Sequence, residues 1–582
     1  MSAILSSDDL NDFISPGVAC IKPIETLPTS KPSLLQDSLE ISFTTYDDPS
    51  SDNHISAPPA QISLTDCLAC SGCVTSAEAI LISLQSHTEV LAELDSAPAL
   101  RIQSDGSSLV NPEQGGKIYV ASVSPQSRAS LAAAFGVSQR EAGYMIEQLL
   151  SGPKGIKNRA VYRNYFHYVV DTNVARNACL ALGVDEVTAS LPGGEAKLAP
   201  KYSEESQVKK PILTSSCPGW ICYAEKTHPY ILPHLSKLKS PQAVSGTLLK
   251  TTLSKKFCIS PQRIWHVAIM PCYDKKLEAS REELTDHSWA GDESRGIRDV
   301  DSVLTTKELL LLADIRRIDF AKLPRHPVQR IPFPDTKLES FLFPNDRKQL
   351  TNRSYDYGPS GGSLYYILNY FVSQNKGSKI HTSRGRNADV MEYSVVSSEN
   401  EILIRAARYY GFRNIQNLVR RLKPPNQSRI PGVKSKVISK KSLGNSTGID
   451  YTYIEVMACP GGCTNGGGQI KVDDPVVSVY DNNETNSKSL SQKDWISKVD
   501  EAYFSGDDMI DETQNKAQHG DFVDGISLVY VKEILAHWAI STDIDLAKLV
   551  YTTFRKVESD VGKKVDHSQK VMSIASKIGG GW

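Results

Sequence analysis

Eleven cysteines punctuate this 582-residue chain, at positions 20, 67, 70, 73, 179, 217, 222, 258, 272, 459 and 463. The first cluster is Cys67-x-x-Cys70-x-x-Cys73, in CLACSGC. Three thiolates at that spacing wrap one corner of a 4Fe–4S cubane, because iron in a sulfide cage prefers soft, charged ligands. Gly72 helps the loop turn tightly, and Cys20 is the one other cysteine in that part of the chain able to supply a fourth ligand. Zinc also takes four cysteines. Zinc sites usually pair two separated knuckles, so the triplet favours the cubane. The second set is Cys217, Cys272, Cys459 and Cys463, in TSSCPGW, IMPCYDKKLE and VMACPGGC. Pro218 and Pro460 stiffen the turns that follow their cysteines. Gly461, Gly462 and Gly466–Gly468 let bare backbone N–H groups approach cluster sulfurs. Cys179, Cys222 and Cys258 lack such settings and read as ordinary buried small residues.

The elements around the second set share one design. PILTSSC, WHVAIMPC and YIEVMAC each read as an apolar strand that ends in a cysteine-bearing loop. Ligands of α/β folds sit at the carboxyl ends of parallel strands. Three such ends aimed at one point make a single pocket, which is the main inference from pattern alone. KIYVASV and YVVDTN are further strands, and SPQSRASLAAAFGVS and NVARNACLALG are helices.

Composition bounds the rest. At 40% hydrophobic, the chain can fill two or three cores. Lys and Arg number 65 and Asp and Glu 66, a net charge of −1, so no basic field draws nucleic acid. No apolar run approaches the roughly 18 residues of a membrane span. The first twenty residues hold three Asp and no Lys or Arg, unlike a signal peptide or a mitochondrial presequence. These features point to the cytoplasm, where the thiol pool keeps cysteines reduced and clustered thiols suggest metal.

Residues 1–115, rich in Ser, Asp and Pro, are expected to form a small, loop-rich iron–sulfur module. Residues 116–470 form the α/β body. Residues 420–446 are basic with paired prolines, and 471–525 are polar; both are expected as exposed loops, the second a flexible insertion. Residues 526–578 return to helical periodicity (SLVYVKEILAHWA, LAKLVYTTFRKV), and 579–582 are a tail ending in Trp582.

TSSCPGW, PHLSKLKSPQAVSGTLLK, MPCYDKKLE with RDVDSVLTTKEL after it, and EVMACPGGCTNGGGQ resemble the signature loops of iron-only hydrogenases. The resemblance spans residues 117–470. It implies two α/β lobes of small parallel or mixed sheets flanked by helices. Between them would lie a 4Fe–4S cubane on Cys217, Cys272, Cys459 and Cys463, the last also bridging to a two-iron subcluster. It further implies that Pro125, Met270, Lys275 and Met457 line the two-iron subsite. Hydrogenases carry two cysteines in the first loop, one of which delivers protons. Here that position is Ser216, and a hydroxyl lacks the weak acidity such a relay needs. That departure, the lone N-terminal triplet with Cys20, the polar insertions and the terminal Trp582 resemble the fungal, Nar-type branch of hydrogenase-like cytosolic iron–sulfur assembly factors. The branch implies a non-enzymatic cluster carrier in the maturation of cytosolic and nuclear 4Fe–4S proteins. Its partners would be a P-loop NTPase scaffold and a β-propeller-containing targeting complex, and Trp582 fits a C-terminal aromatic docking signal. It also implies a cytoplasmic, and in part nuclear, location. The alternatives are an iron-only hydrogenase, or an electron-transfer or oxygen-sensing protein.

Two 4Fe–4S sites of unequal access follow: a labile one on Cys20, Cys67, Cys70 and Cys73, and an enclosed one between the lobes. Iron release to a chelator is expected to be biphasic, with Cys67→Ala removing the fast phase. One phase in the native protein contradicts this.

Overall fold

Strand β1 (Ile118–Val123) is buried along its whole length, and its side chains alternate between two cores. Ile118 and Val120 face one, while Tyr119, Ala121 and Val123 face the other. A strand apolar on both faces needs helices on both sides, the hallmark of a covered parallel sheet. The computed structural model describes residue 82 and residues 84–110, 115–194, 208–291, 294–344, 355–385, 387–423, 450–477, 491–505 and 522–557.

The first sheet has the order β2-β1-β4-β5, with β2 at Tyr168–Asp171, β4 at Ile264–Met270 and β5 at Ser302–Thr305. All its pairings are parallel. The second has the order β3-β9-β8-β7-β6. β3 (Ile212–Thr214), β9 (Tyr453–Met457) and β8 (Ile402–Tyr410) run parallel, and β7 (Val390–Val396) and β6 (Lys379–Arg384) complete it antiparallel. A short hairpin, β10 (Phe522–Val523) and β11 (Ile526–Ser527), stands apart. The fold is thus α/β, with small parallel and mixed sheets.

Helices fill three layers. On the outer face of the first sheet lie α1 (His87–Leu94), α2 (Pro125–Phe135) and α3 (Gln139–Leu150). Between the sheets lies α4 (Thr172–Ser190), and outside the second sheet α5 (Pro218–Thr227). α6 (Pro241–Phe257) joins α4 in the middle layer, and the short α7 (Asp274–Ala279) follows β4. α8 (Thr306–Ile315) returns to the first outer layer, and α9 (Thr336–Leu342) and α10 (Ser363–Gln374) extend the middle one. α11 (Phe412–Leu422) covers the second sheet, α12 (Gln492–Phe504) the first, and α13 (Leu528–Thr542) the middle. The middle core draws Ile118 and Val120 from one sheet and Ile212, Val395 and Tyr453 from the other, so one apolar layer serves both lobes.

Local signals explain the helix starts. Ser124-Pro125 and Ser240-Pro241 each place a capping hydroxyl before a proline at the first helical position. Ser138 with Glu141, and Thr305 with Glu308, form full capping boxes. Among the described residues no helix is long and apolar enough to cross a membrane.

Three expectations meet a different local structure. Residues 84–110 pack on the first lobe, with Val90, Leu91 and Leu94 in its outer core and Leu100, Ile102 and Leu109 in the middle one. Their polar composition hid the short amphipathic run HTEVLAEL. Within the polar stretch 471–525, residues 492–504 form α12, whose Trp495, Val499 and Tyr503 are buried against the first lobe. Three apolar side chains on one face suffice to dock it. In LAKLVYTTFRKV only Leu546–Val550 is helical; beyond it Tyr551 bridges to Leu238, and the chain runs on to lay the Arg555 and Val557 N–H groups on Glu225.

Trp495 is 1% exposed and donates its indole N–H to the Ile470 carbonyl at 2.7 Å. Trp495→Ala should cost about 3–5 kcal/mol and open α12 locally. Hydrogen exchange over residues 463–477 and 491–505 should speed up together, whereas exchange in β8 stays unchanged.

Candidate metal centre

Three strands from two sheets end at one place. β3 and β9 are parallel neighbours, with Ile212 opposite Tyr453 and Thr214 opposite Glu455, so their following loops leave side by side. The first loop is Ser215-Ser216-Cys217 and the second Ala458-Cys459-Pro460-Gly461-Gly462-Cys463. β4 arrives from the other sheet and delivers Pro271 and Cys272. Cys217, Cys272, Cys459 and Cys463 all line one cavity of about 70 Å³. Pro125, Met270, Lys275, Met457 and Ser216 line it too. The convergence expected from the strand pattern is therefore present.

Specific bonds hold the loops. The Ser215 hydroxyl donates to the Val456 carbonyl at 2.5 Å and accepts the Cys217 N–H at 3.1 Å, tying the first loop to β9. The Ser360 hydroxyl accepts the Cys463 N–H at 3.1 Å. Asp389 accepts the Gly461 N–H at 2.8 Å, and the Gly468 N–H reaches the Pro271 carbonyl at 3.0 Å, tying the last loop to the β4 end. Two glycines are required by contact. A Cβ on Gly462 (φ +107°) would lie 2.6 Å from the Pro359 ring, and one on Gly466 would lie 2.4 Å from the Pro271 carbonyl oxygen. Such distances force the backbone apart.

Electrostatics set the sulfurs in tension. Burial pushes the Cys217 thiol up to about 12, aided by the nearby Asp274 and Cys463, despite backbone N–H groups of Trp220 and Ala458 that favour the thiolate. Cys272 and Cys459 are pushed well above the usual thiol range by burial, then by Asp274 and the other cysteines. Cys463 is raised by burial, opposed by the Ser360 hydroxyl and Lys275. Burial also works against the Lys275 ammonium, but Glu278, 2.7 Å away, outweighs it and holds the charge above its ordinary range. Ser240 bonds the second Glu278 oxygen, and Gln242 donates to the Lys275 carbonyl at 3.2 Å.

The donor set fits an iron–sulfur group. It is all sulfur, which favours soft metal over magnesium or calcium. A single zinc ion needs each sulfur at about 2.3 Å, hence sulfurs about 3.8 Å apart. Among the described residues no three His, Cys, Asp or Glu side chains are grouped closely enough for one ion. Four thiols that line one cavity suit a cluster that takes one sulfur at each corner.

Groups that sequence reading missed complete the walls. The N-termini of α2 and α4 face the cavity through Ser124, Gln126, Thr172 and Asn173. Arg128 and Asp171 join those two helix starts by an ion pair at 2.7 Å. Arg176 of α4 also lines the cavity and donates to the Gly361 carbonyl at 2.9 Å. Gln126 donates to the Pro359 carbonyl at 2.9 Å and accepts on its own carbonyl from Gln469, also at 2.9 Å. Arg176 and Gln126 carried no motif signal. Glu278 and Gln242 stood inside quoted motifs and could have been named.

The other cysteines lie elsewhere. Cys179 is half-buried near the Lys239 carbonyl, and Cys222 is half-buried on α5. Cys258 is not the buried residue expected: it is exposed, ending α6 in a left-handed conformation (φ 53°), where its apolar neighbours Phe257 and Ile259 take the core positions. Cys20, Cys67, Cys70, Cys73 and Trp582 fall outside the described residues.

Comparison with known proteins places the chain in a family. The family model described as "Iron only hydrogenase large subunit, C-terminal domain" matches residues 117–467. A protein of Botryotinia fuckeliana (strain B05.10) named "Cytosolic Fe-S cluster assembly factor NAR1" is 64% identical over the full length of both chains. One of Neurospora crassa named "Cytosolic Fe-S cluster assembly factor nar-1" is 54% identical, again over the full length of both. Among solved structures, an apo variant of the [FeFe]-hydrogenase HydA1 of Chlamydomonas reinhardtii covers 81% of this chain and 99% of its own, at 20% identity and a TM-score of 0.51. That likeness is one of fold. With more than half its length matched by the family and full-length relatives above 50% identity, the chain belongs to the iron-only hydrogenase large-subunit family, beside the fungal proteins named for cytosolic iron–sulfur assembly.

Proposed function

We propose that this chain is a non-enzymatic iron–sulfur cluster assembly factor of the cytosol, reaching nuclear targets as well. One 4Fe–4S cluster sits on Cys217, Cys272, Cys459 and Cys463, and a second on Cys20, Cys67, Cys70 and Cys73. The observation that carries the reading is four thiols around one cavity, Cys217 and Cys459 buried and Cys272 and Cys463 half-buried, with Ser216 also in the lining. The names of the full-length fungal relatives point the same way. The bound cluster supplies electron storage and soft-metal cross-linking of the strand ends. The residues of the chain do the rest: they exclude water, fix the loops and hold the Lys275–Glu278 pair against the cavity wall. The N-terminal cluster is the transferable one. The chain then acts between a P-loop NTPase scaffold and a β-propeller-containing targeting complex, which Trp582 helps to engage.

A hydrogenase is the second reading, favoured by Pro125, Met270, Lys275 and Met457 lining the same cavity. Ser216 opposes it, since a serine hydroxyl is too weak an acid to relay protons near neutral pH. Hydrogen evolution from reduced viologen, measured after full anaerobic reconstitution, should be at background; robust turnover overturns the assembly reading.

Anaerobic iron and sulfide counts should give about eight of each per chain. Cys73→Ala and Cys463→Ala should each remove about half, with loss of different EPR signals. Full iron in Cys463→Ala would remove that residue from the ligand set.

A further inference from the structure

We propose that a basic groove at the start of β2, away from the cysteine cavity, docks an extended acidic peptide segment of a partner protein. The two cavities use different ends of the first sheet. The cysteine cavity takes Ser124 and Thr172, which follow β1 and β2, whereas the groove takes Tyr165, His167 and Val169, at and before the β2 start. The groove has a volume of about 800 Å³. One wall is the loop after α3, and the other is the irregular segment 324–331.

Charge is the first argument. Residues 152–165 contain Lys154, Lys157, Arg159 and Arg163 and no acid, and residues 324–332 contain Arg325 and Arg330 and no acid. Lys154, Lys157, Arg163 and Arg330 all line the groove, against one carboxylate, Glu147, among the described residues. Among the described residues no carboxylate pairs with Lys154, Lys157 or Arg163. Arg330 is paired with Glu339 at 2.9 Å and Arg325 with Glu141 at 3.7 Å, so the argument rests on Lys154, Lys157 and Arg163, whose mutual repulsion an anionic partner relieves.

Preorganisation is the second. The Lys157 ammonium rests 4.0 Å from the centre of the Tyr165 ring, and the Arg330 guanidinium 3.8 Å from that of Phe343. Cations held on aromatic faces lose less freedom when an anion arrives. Burial keeps the His167 imidazole neutral, its pKa lowered to about 4, so at neutral pH the field comes from the lysines and arginines.

Shape selects a peptide over a small anion. Small-molecule pockets bury most of the ligand behind apolar walls with a few polar groups. Here cations and prolines line a trough, and Val161 (70% exposed) and Tyr162 (43%) stand on the loop that forms its wall, offering apolar contacts to a longer chain. Among the described residues β2 is the outermost strand on its side of the first sheet, so the groove runs along the rim of the sheet.

The test uses the full-length protein in low salt. A ten-residue polyglutamate peptide should slow hydrogen exchange across residues 153–169 and 324–331, and decaglutamine should not. Lys154→Glu/Lys157→Glu/Arg163→Glu should weaken polyglutamate binding by about tenfold or more and abolish that protection. Lys434→Glu/Lys436→Glu, in the separate basic stretch, should leave the protection intact. If the triple variant has a lowered thermal midpoint, Lys154→Gln is read in its place, with a smaller loss in the same direction. Protection confined to residues 420–446, or equal protection of the groove by tripolyphosphate, overturns the proposal. Iron content does not enter the readout, so the result is independent of the assembly reading.

Discussion

Gathering Cys217, Cys272, Cys459 and Cys463 around one cavity, two of them buried and two half-buried, sets desolvation against charge. Out of water each thiol resists ionisation, and each sulfur that ionises makes the next harder to ionise. Left alone, such a site holds protons and contributes little beyond packing. On the proposed reading, a multivalent metal group held by these four sulfurs would favour the thiolates, and its binding free energy would count toward the folding of the loops. The links from Ser215 to Val456, Ser360 to Cys463 and Gly468 to Pro271 hold the sulfurs in place through neighbouring backbone.

That demand explains the two-lobed architecture. The sulfurs come from both sheets, so the sheets must keep a fixed relation. The middle core provides it, because α4, α6, α10 and α13 pack between the sheets as one apolar layer. Buried polar groups fix how that layer sits. Lys239 and Asp299 are both fully buried and paired at 2.9 Å, with Thr247, Ser288 and the Trp289 indole completing their bonds. A pair like this contributes modest stability, but each charge has one partner, which disfavours sliding of α6 against the segment before β5.

How much of this was legible follows from what a sequence can encode locally. Apolar strands that stop at Cys-Pro or Pro-Cys are local signals, so the cysteine loops and the α/β class were readable from PILTSSC, WHVAIMPC and YIEVMAC. The sheet to which each strand belongs is a long-range fact. Nothing near β4 says that it pairs with β1 while β3 pairs with β9. The cavity walls were illegible for the same reason: Arg176, Gln126 and Ser360 become neighbours of the cysteines only once α2, α4 and the loop before α10 have packed. Composition misled where few residues did the work. α12 docks through Trp495, Val499 and Tyr503 inside a polar stretch, and residues 84–110 join the lobe through a handful of apolar side chains. At Cys258 burial was expected, but a helix end turned the cysteine outward.

The cavity walls also bear on what the site can do. Lys275 keeps its charge because Glu278 outweighs burial, and Arg176 is permanently charged. Ser216, Gln126, Gln242 and Asn173 can donate or accept hydrogen bonds but do not titrate near neutral pH. Among the described residues Asp274 is the one carboxylate in the lining, and it stands beside the cysteines, where its charge discourages free thiolates. Among the described residues of the lining the charged groups other than the thiols are Arg176, Lys275 and Asp274. On the proposed reading, the two cations face a cluster whose thiolates carry negative charge, and the charge of Lys275 is held by Glu278 rather than by water, so the site's electrostatics depend on protein groups fixed by packing.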